Sequence, residues 1–254
     1  MRSYIAFTKK ERMDYIRNYK ALIMLVVFAI IGIMSPLSAK FMPEIIKEVM
    51  PAGMTIQLPE PSDMDSWAQF FKNVSQMGII VAVIIFSGMM SHEYEKGTLV
   101  NLVTKGLSRN TIVAAKYTAA VLLWTISYWM CSLITWIYTR YYFSQGTASN
   151  LFLTVFSWYL FGIMLLSIVM LGSVSFKNTY GSLLFTACFT AVLFIINLFP
   201  ETIKWNPLQL ADSNMEILKG ALVFSDIKYS FGITVLLIMS ALGLSVRIFD
   251  KKLL

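Results

Sequence analysis

The residues best suited to a specific interaction lie together in one segment, 91–116. Glu93 and Glu95 supply two negative charges, and Gly97 permits a sharp turn directly after them. The chain's single histidine, His92, stands beside Glu93 without a serine or cysteine at a recognisable catalytic spacing. These residue types therefore indicate recognition by charge rather than catalysis.

An apolar pattern at helical spacing follows the turn. Thr98 can cap a short helix whose apolar residues, Leu99, Leu102 and Val103, fall at i, i+3 and i+4. Ser108 is a suitable cap for the next helix. The segment thus predicts a short amphipathic helix across the ends of two longer ones, a form that suits docking into a groove on a partner protein.

Several classes of chemistry lack their residues. We find no Gly-x-x-x-x-Gly-Lys-Ser/Thr phosphate loop, no metal-ligand spacing and no cysteine framework among the two cysteines. The long apolar stretches carry no acid, lysine, arginine or histidine. Ion-coupled carriers and ion channels usually need charged or titratable groups at membrane depth, so the sequence disfavours both.

Composition places the chain in a membrane. Of its 254 residues, 57% are apolar and only 14% are charged, whereas a soluble domain usually carries about 25% charged residues. A net charge of +7 could indicate nucleic acid, but in so apolar a chain it favours membrane orientation and lipid contacts. We predict an all-α integral membrane protein forming one domain with six spans of about 20 residues. These are 21–39, 73–91, 117–139, 151–174, 182–199 and 229–246.

Loop charges predict the topology. Of the 21 lysines and arginines, 14 fall in the two termini and in the segments 91–116 and 176–181. The positive-inside bias places these in the cytoplasm of a bacterial cell, with the chain in the plasma membrane. The segments 40–72 and 200–228 become extracellular loops, and the four prolines of the first prevent most of it from forming one helix.

The N-terminal segment 1–20 mixes apolar and basic residues. Met13, Ile16 and Tyr19 fall at helical spacing among Lys9 and Arg12. This pattern favours a basic amphipathic helix lying on the inner leaflet. The alternative is a plain basic flank that only fixes orientation.

The segment 91–116 resembles the cytoplasmic loop of ABC-2 family ABC transporter permeases. That family's pattern runs from Glu through Gly-Thr and two apolar positions to Pro-x-Ser-Arg, with a later Lys. The matching residues are Glu93, Glu95, Gly97, Thr98, Leu99, Leu102, Ser108, Arg109 and Lys116. Gly106 departs from the pattern because it stands where proline is usual. The proline-rich segment 40–72 resembles the branch that exports bacitracin, lantibiotics or phenol-soluble modulins.

The resemblance implies a type V exporter-like fold in which this segment is the coupling helix, seated in a cleft of a separate ATPase. Glu93 and Glu95 would anchor it by charge, and Leu99 and Leu102 would fill the cleft. The alternative is an ordinary solvated run of charges. ATP and Mg²⁺ would bind the ATPase, with no cofactor on this chain. The family's usual complex pairs two permeases, here the same chain twice or a paralogue, with two ATPase subunits.

The implied function is export of amphipathic or cytotoxic peptides. Export of lipid-like molecules or small hydrophobic drugs is an alternative. A second class is a membrane protein that confers immunity by binding a peptide without transporting it. A third class, a stand-alone carrier or channel, lacks the charged site that it would need.

Overall fold

The computed structural model describes residues 2–49, 60–95, 97–104, 106–143, 146–176 and 178–252. At positions 2, 46–49, 95, 100 and 101 it describes the backbone alone. The described residues form helices and turns and include no strand. The part of the expected loop 40–72 that covers 50–59 lies outside the described residues.

Twelve α-helices follow one another along the described chain. They are α1 Arg2–Arg17, α2 Lys20–Val49, α3 Asp63–Asn73, α4 Ile79–Ser87, α5 Ser91–Glu95, α6 Thr98–Thr104, α7 Arg109–Tyr142, α8 Leu151–Ser175, α9 Thr179–Ile196, α10 Gln209–Asp212, α11 Asn214–Leu218 and α12 Phe224–Lys251. A π-helical turn, Val74–Gly78, joins α3 to α4, and a 3₁₀ turn, Pro200–Trp205, precedes α10.

Six helical segments are long and apolar enough to cross a bilayer, which confirms the predicted number of spans. They are Lys20–Ile45, Asp63–Tyr94, Arg109–Tyr142, Leu151–Ser175, Thr179–Ile196 and Phe224–Lys251. Several of these helices extend beyond the charge-free stretches of the sequence. The chain is therefore a multi-pass, all-helical membrane protein.

The second span begins ten residues before its charge-free stretch, at Asp63 rather than Asn73. Trp67, Phe70 and Phe71 are buried on one face of α3, while Lys72 points outward. The buried Asp63 carboxylate accepts hydrogen bonds from the backbone N–H groups of Thr147 at 2.7 Å and Ala148 at 3.2 Å. The added turns therefore form part of the packed bundle and hold the connection between α7 and α8.

Helix α8 occupies the centre of the bundle. In its most apolar stretch 72% of the residues are buried, compared with 17% in α9 and in α12. Trp158 of α8 stacks on Tyr128 of α7, with ring centroids 5.8 Å apart and planes only 7° from parallel. Trp124 stacks on the same tyrosine at 5.4 Å. Aromatic stacking thus fixes α7 against α8, and α9 and α12 are left with apolar outer faces.

Helix α2 runs unbroken through Pro36 and Pro43, although the sequence placed Pro43 in a loop. Proline has no N–H, so the carbonyl of Gly32, four residues before Pro36, loses its helical partner. Thr135 of α7 replaces that partner, because its hydroxyl donates to the Gly32 oxygen at 3.2 Å. Hydrogen bonds from neighbouring helices commonly permit proline inside a membrane span.

We predict that Thr135→Val destabilises the protein by about 1–2 kcal/mol, because it leaves the buried Gly32 carbonyl without a donor. In a Pro36→Ala background the helix supplies its own N–H, and Thr135→Val should cost much less. Unfolding of the four proteins by sodium dodecyl sulfate in mixed micelles measures the coupling between the two sites. Equal costs in both backgrounds would contradict the assignment.

Candidate functional site

The segment 91–108, here called the 91–108 loop, folds as two short helices, α5 and α6, joined by a turn. Gly97 lies at the turn with a φ of +63°, in the left-handed region that favours glycine. Its N–H donates to the carbonyl of Tyr94 at 3.1 Å. The sharp turn expected at Gly97 is therefore present, and it separates α5 from α6.

Gly106 ends α6 in a Schellman motif. The Gly106 N–H donates to Val103 O at 2.9 Å, and the Leu107 N–H donates to Leu102 O at 3.2 Å. This motif requires a left-handed residue, and Gly106 has a φ of +85°. A proline ring holds φ near −65°, so proline cannot occupy this conformation. The Schellman motif therefore accounts for a glycine at this position, where the family pattern has proline.

The next helix, α7, begins where the sequence predicts. Ser108 caps it by accepting the N–H of Thr111 at 3.3 Å. Arg109 follows, and its guanidinium donates to the carbonyl oxygens of Phe249 at 2.5 Å, Asp250 at 2.6 Å and Lys252 at 2.9 Å. A cation at the C-terminus of a helix satisfies carbonyls that have no partner within the helix. Arg109 thereby binds the start of α7, directly after the 91–108 loop, to the end of α12.

Glu93 is bound within the chain on three sides. Its carboxylate lies 3.2 Å from Lys116 Nζ and 3.1 Å from Lys10 Nζ, and it also accepts the Thr98 hydroxyl. Lys116 lies 2.8 Å from the second acid, Glu11. Lys10, Glu11, Glu93 and Lys116, hereafter the charge cluster, join α1, α5 and α7.

The charge cluster is mostly withdrawn from solvent. The side chains of Lys116 and Glu11 are 3% and 4% exposed, and that of Glu93 is 12% exposed. Lys10 closes the cluster at its surface, 48% exposed and 3.0 Å from Glu11. Two acids and two bases balance, which is what buried charges require. Burial alone would lower the pKa of Lys10, but the carboxylates of Glu11 and Glu93 outweigh it and raise that pKa above its ordinary value.

A cavity of about 350 Å³ adjoins the charge cluster. Asp14 and Lys20 bring further charges to its wall, and Leu102 of α6 lines it as well. His92 lies beside it so close to Gly88 that a Cβ there would overlap the imidazole ring. The cavity is therefore a polar recess between α1 and the 91–108 loop.

The predicted docking residues have different surroundings. Leu99 is only 1% exposed and belongs to this chain's own core, whereas Leu102 is half-buried. The side chain of Glu95 lies outside the described part of the chain. Contact of Glu93, Glu95, Leu99 and Leu102 with an ATPase stays a prediction. The structure gives Glu93 and Leu99 contacts within this chain.

Sequence reasoning missed Glu11 and Lys10. The available signal was the spacing of Phe7, Glu11 and Tyr15, which repeats every four residues and forms the buried face of α1. An acid on that face, within a basic segment, indicates an internal cation as its partner. No local pattern identifies Lys116 as that cation.

Lys252 forms a second set of contacts at the same end of the bundle. Lys252 Nζ donates to the carbonyl oxygens of Val174 at 2.5 Å and Ser175 at 2.9 Å, at the end of α8. The same ammonium lies 4.9 Å from the ring centre of Tyr94, and Tyr94 meets Phe249 edge to face at 6.3 Å. The loop is thus fixed to α1, α7, α8 and α12 together.

Comparison with known proteins agrees with this architecture. The model of the ABC-2 family transporter proteins matches residues 5–253. The chain belongs to the ABC-2 transporter family. An uncharacterized transmembrane protein of Bacillus subtilis strain 168, YxlG, is 21% identical to it over 224 residues, covering 86% of each chain. As an ABC-2 permease the chain is a membrane component of a transporter, and its family implies an ATPase partner.

We predict that Lys116→Met destabilises the permease by about 3 kcal/mol, because Glu11 and Glu93 lose their shared buried cation. Lys10→Met removes the same charge from a half-exposed side chain and should cost less than about 1 kcal/mol. Unfolding in mixed micelles compares the two. Similar losses of stability in the two variants would show that burial of Lys116 does not determine how much its ion pairs contribute.

We also predict that Gly106→Pro disrupts the end of α6, since proline can neither adopt the left-handed φ nor donate to Val103. Gly106→Ala keeps the N–H and should cost about 1–2 kcal/mol through φ alone. Gly243→Ala is the matched control, because that glycine is helical and a Cβ there meets nothing within 4 Å. If Gly106→Pro were as stable as wild type in detergent, the Schellman motif would be wrong.

Proposed function

We propose that this permease couples an ATPase to the export of amphipathic, membrane-active peptides. Glu93 carries the coupling part of the proposal, since it connects the 91–108 loop simultaneously to α1 and α7. A partner that displaces the loop displaces both helices, because breaking the buried ion pairs is costly. The positive-inside bias, which favours a cytoplasmic loop, supports contact with a cytosolic ATPase.

In this proposal the ATPase seats on α6 and on the rim of the polar recess. Leu102 lines that recess and Thr104 is exposed at the end of α6. Glu95 supplies a charge for this contact, and Glu93, which is paired with Lys10 and Lys116, transmits the displacement inward. ATP and Mg²⁺ bind the ATPase subunits, and two permeases, identical or paralogous, complete the complex.

Two features support a peptide as cargo. The proline-rich segment 40–72 resembles that of exporters of antimicrobial and cytotoxic peptides. The charge-free central stretches of the spans suit a molecule with a large apolar face. The outward direction is proposed from the same resemblance. Lipid-like molecules or hydrophobic drugs would suit the same interior, and an immunity protein would bind the peptide without turnover.

Photo-crosslinking tests the coupling part. A benzoyl-phenylalanine at position 104 should crosslink an ATPase, identified by its phosphate-loop sequence, in native membranes. The same group at Ser225, which is exposed at the opposite end of the bundle, should not. Crosslinking from 225 alone would invert the topology and end the proposal.

ATP hydrolysis by the purified complex tests the cargo. We expect a cationic amphipathic peptide to stimulate hydrolysis severalfold in proteoliposomes, and a hydrophobic dye to have little effect. Stimulation by the dye alone would favour drug export. Peptide binding without stimulated hydrolysis would favour the immunity function.

A further inference from the structure

A second face of helix α1 points away from the charge cluster. Ile5, Thr8, Lys9 and Arg12 fall at i, i+3, i+4 and i+7, so they form one stripe along the helix. Phe7, Glu11 and Tyr15 occupy the buried face instead. The stripe combines an apolar start with two exposed cations.

This stripe lines a groove between α1 and α7. The groove has a volume of about 280 Å³, and Tyr4, Thr118 and Leu122 complete its lining. Tyr4 and Thr118 are joined by a hydrogen bond of 2.7 Å between their hydroxyl oxygens, which fixes the distance between the helices. The groove is therefore set by the packing of α1 and is not an accidental gap between loose side chains.

The surface of the groove is apolar, and the residues that line it on the α1 side include two exposed cations. Leu122 is 45% exposed, and Ile126, one turn further along the same face of α7, is 58% exposed. Lys9 and Arg12 stand on the other wall, and no acidic side chain is among the described residues that line it. The acids nearest in sequence, Glu11 and Asp14, line the recess on the opposite side of α1.

We propose that this groove binds one anionic phospholipid. The phosphate lies between Lys9 and Arg12, and one acyl chain follows Leu122 and Ile126 along α7. The two cations favour an anionic headgroup over a zwitterionic one, because a zwitterionic headgroup brings its own positive charge toward the same two side chains. The inference uses α1 and α7 only, so it holds whether or not an ATPase docks on the 91–108 loop.

The occupied groove would add a lipid bridge to the side of α1 that faces away from the charge cluster. Glu11 and Lys116 hold α1 to α7 from within, and the phospholipid holds the same two helices from the bilayer. Loss of the lipid therefore weakens the attachment of α1 to the bundle without removing any protein contact.

Native mass spectrometry of the full-length protein tests the site. The protein is reconstituted in nanodiscs of phosphatidylcholine with phosphatidylglycerol as the minor lipid. After release from the nanodisc, the mass of the protein with its bound lipids is measured. We expect wild type to retain one phosphatidylglycerol. Lys9→Ala/Arg12→Ala should weaken retention at least about tenfold, since each cation near an anionic lipid contributes on the order of a fivefold factor.

Two further variants separate a site from general attraction. Arg247→Ala/Lys251→Ala removes two exposed cations spaced four residues apart on α12, outside the groove, and should leave retention unchanged. Leu122→Trp fills the groove while keeping both cations, and should reduce retention. Equal loss in the α12 variant, full retention in Lys9→Ala/Arg12→Ala, or full retention in Leu122→Trp would each overturn the proposal. Size-exclusion profiles matching wild type establish that each variant is folded.

Discussion

The burial of Lys116 constrains the whole end of the bundle that carries the 91–108 loop. An ammonium only 3% exposed must be neutralised at short range, and Glu11 and Glu93 are the acids that do so. One acid lies on the first helix and the other on the loop. The positions of α1 and α5 relative to α7 are therefore set by the geometry of one cation, and the half-exposed Lys10 only completes the balance.

Other contacts extend this constraint to the remaining helices. Arg109 binds the end of α12, and Lys252 binds the end of α8. Within the loop, both glycines adopt left-handed conformations, one at the turn between α5 and α6 and one at the end of α6. A loop bound to several spans suits the proposed role of receiving movement from an ATPase, whereas a solvated run of charges would not transmit it. Glu93 is mostly buried and paired rather than a solvated charge, and contact of the loop with an ATPase stays a prediction.

The spans could be predicted because apolar content and length act locally. The start of the second span could not, since Lys72 ended its charge-free stretch although the helix continues back to Asp63 with its apolar face buried. Pro43 misled because a proline need not end a membrane helix, as Pro36 shows where Thr135 satisfies the freed carbonyl of Gly32. At the candidate site the turn at Gly97 and the cap at Ser108 followed from local chemistry. The ion pair between Glu11 and Lys116 spans 105 positions, and no local pattern encodes such a pairing.

That long separation has a consequence for biosynthesis. Translation runs from the N-terminus, so Glu11 leaves the ribosome well before Lys116 exists. Until the third span is delivered to the bilayer, the nascent first helix has an acid on its inner face and no buried cation to receive it. Helix α1 can form its buried ion pair only after the third span is inserted. Insertion of that span therefore precedes the final packing of α1 against the bundle.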